Sequence, residues 1–351
     1  MIKTIRIINP HIKKTYLLKG ETHTHTKESD GGNTPTELLT EYKNKGYAFV
    51  CITDHNVITC ASIDGLISIV SVEDTKTRHI TAYDITEQSA SSVPQEVLDF
   101  YHNADKLCSL AHLNWDGQPH ATAVEVKGYT YVQMLEVYNA NTNSYAEEHW
   151  DEALSQNWGV LAIAVDDCHN INDPSQFDKG YVLVNTDVKN KDTIMSELRA
   201  GNFYASNGND IEIITTSTKI TASSTELSNF SFIGLNGAVL KTVSNVTTST
   251  YAVKQEDVYV RVKSVKVSDN SCAWSQTVKI EPVVEIEFTN TEKIASDCYD
   301  YLADNSIVPI LFRNNEQSIA GTKIPSTHFW ISIQEYLSDI LAEKVYEFLQ
   351  L

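Results

Sequence analysis

No apolar run in this sequence approaches the roughly 20 residues that a membrane-spanning helix needs, which excludes a helical span. The opening stretch, Met1 to Pro10, holds only a short apolar segment broken by Lys3 and Arg6, so no secretory signal peptide is expected. Basic residues are scarce, 27 Lys and Arg against 46 Asp and Glu, and the formal charge of −19 argues against broad binding to a polyanion. The cysteines, Cys51, Cys60, Cys108, Cys168, Cys272 and Cys298, have neither a paired zinc spacing nor the density of a disulfide scaffold. A reduced, cytoplasmic protein is the expectation. There is no internal repeat.

What is present is enough chain to bury a substantial core: 351 residues, 42% of them hydrophobic, suggest one large domain with one or two small ones. Short apolar runs at 15–18, 49–52, 67–72, 79–83, 107–111, 133–137, 160–165 and 181–184 read as strands. Helical patterns fall between them at 35–45, 94–104, 145–156 and 192–200, with Pro35 and Pro94 suited to first-turn positions. The alternation indicates an α/β fold of about seven barrel strands, a distorted (β/α)7 TIM-like barrel over residues 1–209. From 210 to 282, Thr- and Ser-rich period-two patterns broken by turns predict a small antiparallel β domain. Residues 283–351 form a short α/β segment of unknown role, with strands expected at 284–288 and 307–312 and helices at 291–303 and 331–349.

His23 and His25 are one residue apart in Glu21-Thr-His-Thr-His-Thr26, so an extended backbone aims both imidazoles at one face. That is a metal-ligand arrangement. Further candidates follow downstream: Asp30 in Ser-Asp-Gly, His55 in Thr-Asp-His-Asn, Glu73, His79, His112, and Asp167 and His169 in Asp-Cys-His. Several sit just after an apolar strand, where barrel enzymes keep their chemistry. The series is too long for a single metal.

The order and spacing of His23-Thr-His25, Ser29-Asp-Gly31, Thr53-Asp-His-Asn56, Glu73, Ala111-His112, Glu136-Val-Tyr-Asn139 and Asp167-Cys-His169 resemble the polymerase and histidinol phosphatase (PHP) superfamily. The likeness runs from about Gly20 to Ser206. It resembles the stand-alone metal-dependent phosphoesterase type, and a following β extension with Ala273-Trp-Ser275 fits that type as well. The resemblance implies a first metal on His23, His25, Glu73 and Asp167, a second sharing a bridging Glu73 with His79 and His112, and a third on Asp30, His55 and His169. Catalytic weight would fall on Asp167, Glu73 and His25. The cofactors implied are two or three divalent transition metals, and a mixed imidazole and carboxylate set suits manganese, iron or zinc. Two local departures, Ala111-His-Leu-Asn114 and Val72-Glu-Asp74, remove no ligand.

Other residues near the motifs have plainer readings. Asp54 could orient an imidazole or cap a turn, and Glu136 and Asn139 could contact substrate or hold the framework by hydrogen bonds. Asp166 is expected to fix backbone. Cys168 has no second thiol at zinc spacing and is not read as a ligand. His11, His102, His120, His149 and His328 read as surface or helix residues. Arg78 and Arg199 are the obvious basic candidates near the barrel but read equally as structural, so substrate-binding residues are not assigned.

The expected reaction is hydrolysis of a small phosphate ester by a hydroxide bridging two ions about 3.5–4 Å apart, with a third ion neutralising phosphoryl charge. The metals would reverse the local sign of an acidic protein and draw an anion in. The alternatives are a carboxylic or carbamate ester hydrolase using the same site, and a non-catalytic metal-binding regulatory module whose 283–351 segment recruits a protein partner. A nucleic-acid polymer and a membrane are not expected partners.

Overall fold

The computed structural model describes residues 2–76, 78–115, 122–157, 159–287 and the strands Glu316–Ile319, Thr322–Pro325 and His328–Ile331. Its contacts separate two units, residues 8–279 and residues 1–7 with 280–351.

In the larger unit, eight strands follow the predicted runs: β1 (Tyr16–Glu21), β2 (Phe49–Ile52), β3 (Ile67–Asp74), β4 (Ile80–Tyr83), β5 (Leu107–Leu110), β6 (Met134–Asn139), β7 (Leu161–Val165) and β8 (Tyr181–Thr186). Helices α1 (Pro35–Asn44), α2 (Pro94–Asn103), α3 (Ala123–Gly128), α4 (Glu147–Gln156) and α5 (Lys191–Ala200) lie between them or after the last. Their ends have local causes. Thr34 caps α1 in a reciprocal capping box with Glu37 and Pro35 takes the first turn, while Gly201 closes α5 in the left-handed region at φ 72°. Of the helices, α3 was not foreseen in the sequence.

Parallel pairing joins β1 to β2, β2 to β3, β5 to β6 and β6 to β7. Two features depart from the expected (β/α)7 barrel. First, β4 runs antiparallel to both β3 and β5, and β8 runs antiparallel to β1. The loop from β3 to β4 is only five residues, 75–79, too short for a parallel crossover. Second, the sheet is not closed, because no ladder joins β7 to β8 among the described residues. The Gln276 side-chain amide occupies that edge, donating to the Ala162 carbonyl at 2.8 Å and accepting from its N–H at 2.9 Å. The two segments still come close there: a Cβ on Gly180 would lie 2.2 Å from the Val165 carbonyl oxygen.

The next strand, β9 (Phe203–Ser206), pairs with β8 on one side and with Cys272–Ser275 on the other, both antiparallel. Through it the sheet continues into the antiparallel extension formed by Glu212–Thr215, Lys219–Ile233, Val239–Ala252 and Tyr259–Lys266. The extension is fastened to α4 by Arg261. Its guanidinium donates to both carboxylate oxygens of Asp151, at 2.9 and 2.8 Å, and lies 4.7 Å from the Trp150 ring.

In the smaller unit, residues 284–287 of the strand Val278–Glu287 pair antiparallel with His328–Ile331, and Glu316–Ile319 pairs antiparallel with Thr322–Pro325. The last three of these strands had no sequence signal. The expected strand at 284–288 is met over 284–287, whereas the expected strand at 307–312 and the helices expected at 291–303 and beyond 331 lie outside the described residues. No described helix is long and apolar enough to cross a membrane.

Candidate metal centre

The chain leaves β1 still extended, so His23 and His25 project to the same side while Thr22, Thr24 and Thr26 alternate away. Thr24 anchors this extension between its neighbours: it bridges Cys168, its N–H donates to Thr53 Oγ1 and its hydroxyl donates to the Cys51 carbonyl. The histidines lie just past the strand end rather than within it. Their Nε2 atoms are 3.0 Å apart, and both rings are fully buried.

Asp167 follows β7 and Glu73 lies near the end of β3. Asp167 Oδ1 is 3.4 Å from His23 Nε2 and 3.1 Å from His25 Nε2. Glu73 stands at the centre of the cluster. Its Oε2 lies 3.4 Å from each of those two imidazoles and 2.8 Å from His55 Nδ1, and its Oε1 lies 2.9 Å from His79 Nδ1 and 3.2 Å from His112 Nε2. Nearer solvent, Asp30 reaches His55 and His169, each at 3.4 Å, and His25 Nδ1 at 3.8 Å. The structure therefore gathers all nine sequence candidates, His23, His25, Asp30, His55, Glu73, His79, His112, Asp167 and His169, into one constellation. Within it, three groups bring one donor atom per residue within 4.8 Å of the others: His23, His25 and Asp167; His55, Glu73 and His79; and His25, Asp30, His55 and His169.

Local backbone geometry delivers these side chains at some cost. His112 and Asp167 adopt positive φ, 29° and 50°, a region that costs a non-glycine residue and that Asn and Asp residues in turns elsewhere in the chain also hold. Asp30 is carried on a tight turn that needs Gly31, where a Cβ would come within 2.5 Å of the His25 carbonyl oxygen.

The surrounding groups fix the candidate ligands. His23 Nδ1 donates to Glu136 at 2.6 Å, so Nε2 is the nitrogen turned to the cluster. Asn139 donates to Glu136 and to Asp167, so the open question about Glu136 and Asn139 resolves toward framework hydrogen bonding. Of the two readings of Asp54, the structure shows the turn. Its carboxylate is taken up by Thr26 N–H, the Thr26, Ser29 and Thr59 hydroxyls, and so shapes the turn that presents Asp30. Asp166 fixes backbone as foreseen, accepting from the N–H groups of Asp178, Lys179 and Gly180 at 2.7 Å each. The Cys168 thiol is pushed up by burial and then by Asp166, away from the thiolate a metal would need. Arg78 is paired with Glu125 and Arg199 with Asp105.

No family model matches the chain, and no curated relative matches it. Among solved structures, the chain is similar to a two-domain protein from Bacteroides vulgatus containing a predicted PHP-like metal-dependent phosphoesterase (15% identity, 78% of this chain and 98% of that one, TM-score 0.48). It is also similar to a candidate metal-dependent phosphoesterase from Bifidobacterium adolescentis (14%, 52% and 96%, TM-score 0.37). A third likeness is to a Chromobacterium violaceum amidohydrolase with bound sulfate and no metal (14%, 44% and 88%, TM-score 0.31).

The electrostatics of this chain's own side chains fit a bound cation. Burial opposes charge on His23, yet Asp167, Glu73 and Glu136 outweigh it and hold that imidazole well above the usual range. Burial wins at His25, whose imidazole is held low. Burial also disfavours charge on Glu73 and Asp167, but the facing imidazoles, His23 first, keep both carboxylates below their ordinary range. Two ring nitrogens 3.0 Å apart cannot both carry protons. Meanwhile His25 Nδ1 and Glu73 Oε2, both buried, make no well-aligned hydrogen bond. Divalent cations would use these lone pairs.

Sequence reasoning missed two residues here. Asn141 places its amide nitrogen 3.4 Å from both Asp167 and His169. Glu21 is fully buried behind His23, and its period-two relation to His23 and His25 was the available signal.

Proposed function

We propose that this chain is a PHP-type metal-dependent phosphoesterase acting on a small phosphate ester. The observation that carries this reading is the convergence of six imidazoles and three carboxylates, His23, His25, His55, His79, His112, His169, Asp30, Glu73 and Asp167, on one buried-to-exposed cluster. His23, His25 and Asp167 would hold one ion, with Glu73 shared toward a second that His79 and His112 complete. Asp30, His55 and His169 would hold a third at the solvent side. The donor set suits manganese, iron or zinc. When bound, such ions activate water as a nucleophile and neutralise charge on a phosphoryl group.

The chain's own contribution is preorganisation. Glu136 keeps the His23 proton on Nδ1, Asn139 holds Glu136 and Asp167 together, and Asp54 holds the Asp30 turn. The gradient from buried His23 to Asp30, whose side chain is 54% exposed, leaves the third group open to an incoming anion. Residues 210–282 and 283–351 are assigned to support and positioning.

The test is inorganic phosphate release from a panel of nucleotides, sugar phosphates and amino-alcohol phosphates by protein reconstituted with manganese, iron or zinc. Turnover that is lost in Asp167→Ala supports the reading. Metal-loaded protein inert toward every phosphate ester, but active on carboxylic or carbamate esters, would replace it.

A further inference from the structure

The open sheet raises a mechanical question at the site. His23 and His25 extend from β1 and Asp167 extends from β7, yet no ladder pairs β1 with β7. Beyond both strand ends the two segments meet at a bridge, where His25 N–H donates to the Cys168 carbonyl at 2.9 Å, and again where Gly32 N–H donates to the His169 carbonyl at 2.7 Å. Asp167 and His23 must nevertheless stay within 3.4 Å of one another for the first ligand group to exist.

Glu21 is the residue that crosses this gap on the other side. One of its oxygens, Oε1, accepts from the backbone N–H groups of Thr22 at 2.9 Å, His23 at 2.8 Å and Asp166 at 3.2 Å. Two of those donors belong to the segment bearing His23, and the third is the residue before Asp167. The side chain is fully buried, and its second oxygen makes no hydrogen bond. A buried carboxylate is costly, and burying one beside Asp166 more so, unless the three backbone bonds repay it. A ladder between β1 and β7 would have satisfied the Asp166 N–H without a carboxylate, so the side chain stands where the ladder is missing.

We infer that Glu21 is a positioning residue: one oxygen atom clamps the β1 and β7 ends so that His23 and Asp167 reach the same ion. The inference rests on the metal reading above. What matters is an acceptor oxygen at that distance from the backbone, not the negative charge.

This separates three substitutions. Glu21→Gln keeps the acceptor in place and exchanges only the oxygen that makes no hydrogen bond. Glu21→Asp keeps the carboxylate but withdraws it by one methylene, and Glu21→Ala removes it. The measurements are ions bound per full-length chain and their affinities, by competition of Mn(II) or Zn(II) against a chromophoric chelator, with the visible spectrum of the Co(II)-loaded protein as a probe of ligand geometry. Glu21→Gln should retain wild-type stoichiometry and affinity to within about threefold. Glu21→Asp and Glu21→Ala should each weaken one ion about tenfold or more and change the Co(II) spectrum, while the remaining ions bind normally.

Glu21→Asp with wild-type affinity and spectrum would overturn the clamp, and so would a loss in Glu21→Gln as large as that in Glu21→Asp, because the amide keeps the acceptor oxygen in place. Should Glu21→Ala not fold, the Gln and Asp pair decides alone. Failure of the wild-type chain to bind any ion is a different result, and it counts against the metal reading itself.

Discussion

At the residue scale, the site depends on side chains that set the proton and orientation of others. Glu136 receives the Nδ1 proton of His23 and also accepts from the His112 backbone N–H and from Asn139, so one carboxylate orients parts of two ligand groups. Glu136→Leu should therefore lower metal affinity by about 10- to 100-fold, measured by chelator competition. Unchanged affinity would show that the imidazoles are held by packing alone. A second residue acts on stability rather than on the site. His11 is part-buried and donates from Nε2 to the Gln276 carbonyl at 3.3 Å. Burial pushes its imidazole down to about 4, against the weaker opposite pull of that bond. The unfolded chain takes up this proton near pH 6.5 and the folded chain only near pH 4. His11 therefore favours folding fully above about pH 6.5, and its contribution is lost as the pH falls from there to about 4. Urea midpoints at pH 7 and pH 5 should fall further for the wild type than for His11→Leu; equal falls would mean that His11 does not titrate in this window.

At the element scale, what the sequence revealed was local and what it hid was pairing. Apolar runs located β1 through β8, because burial on both faces writes itself into consecutive residues such as Phe49–Ile52 and Leu161–Val165. Histidines at strand ends were legible for the same reason, since alternation and strand termination fix where a side chain points. The antiparallel turn of β4, the open edge at β7 and the Gln276 cap were not. Each is settled by a partner more than a hundred residues away or by a loop length, and a glutamine in Trp274-Ser-Gln276 has no feature that marks it as a strand substitute. Asp54 was open to two readings for a related reason: adjacency to His55 suggested an imidazole partner, while the turn at 26–29 offered three donors and Thr59 a fourth. The join of α4 to the extension was equally invisible. Arg261 is buried there, with Asp151 as its bidentate partner. Arg261→Met should destabilise the larger unit by about 3 kcal/mol, because it leaves Asp151 without its counterion. Arg261→Met combined with Asp151→Leu should recover much of that loss in denaturant midpoint; a double variant as unstable as the single would assign the cost to packing on Trp150 instead.

At the scale of the whole molecule, residues 8–279 form one compact unit that contains every candidate ligand. The expected boundary near residue 209 corresponds to no break in pairing, since β9 is shared between the eight-strand sheet and the extension. A chain shortened to 8–279 should bind as many ions as the full chain and keep its turnover per bound ion on a small phosphate ester. A soluble, metal-loaded 8–279 chain without turnover would show that residues beyond 279 or before 8 complete the active site. The account as a whole stands on the nine clustered donors, His23, His25, Asp30, His55, Glu73, His79, His112, Asp167 and His169, binding more than one ion. Elemental analysis of the full-length protein, purified without chelator and again after reconstitution with manganese, iron and zinc, measures this directly. Two or three transition-metal ions per chain, reduced in His25→Ala and Asp167→Ala, is the predicted result, and no stoichiometric metal under any of the three reconstitutions would contradict it.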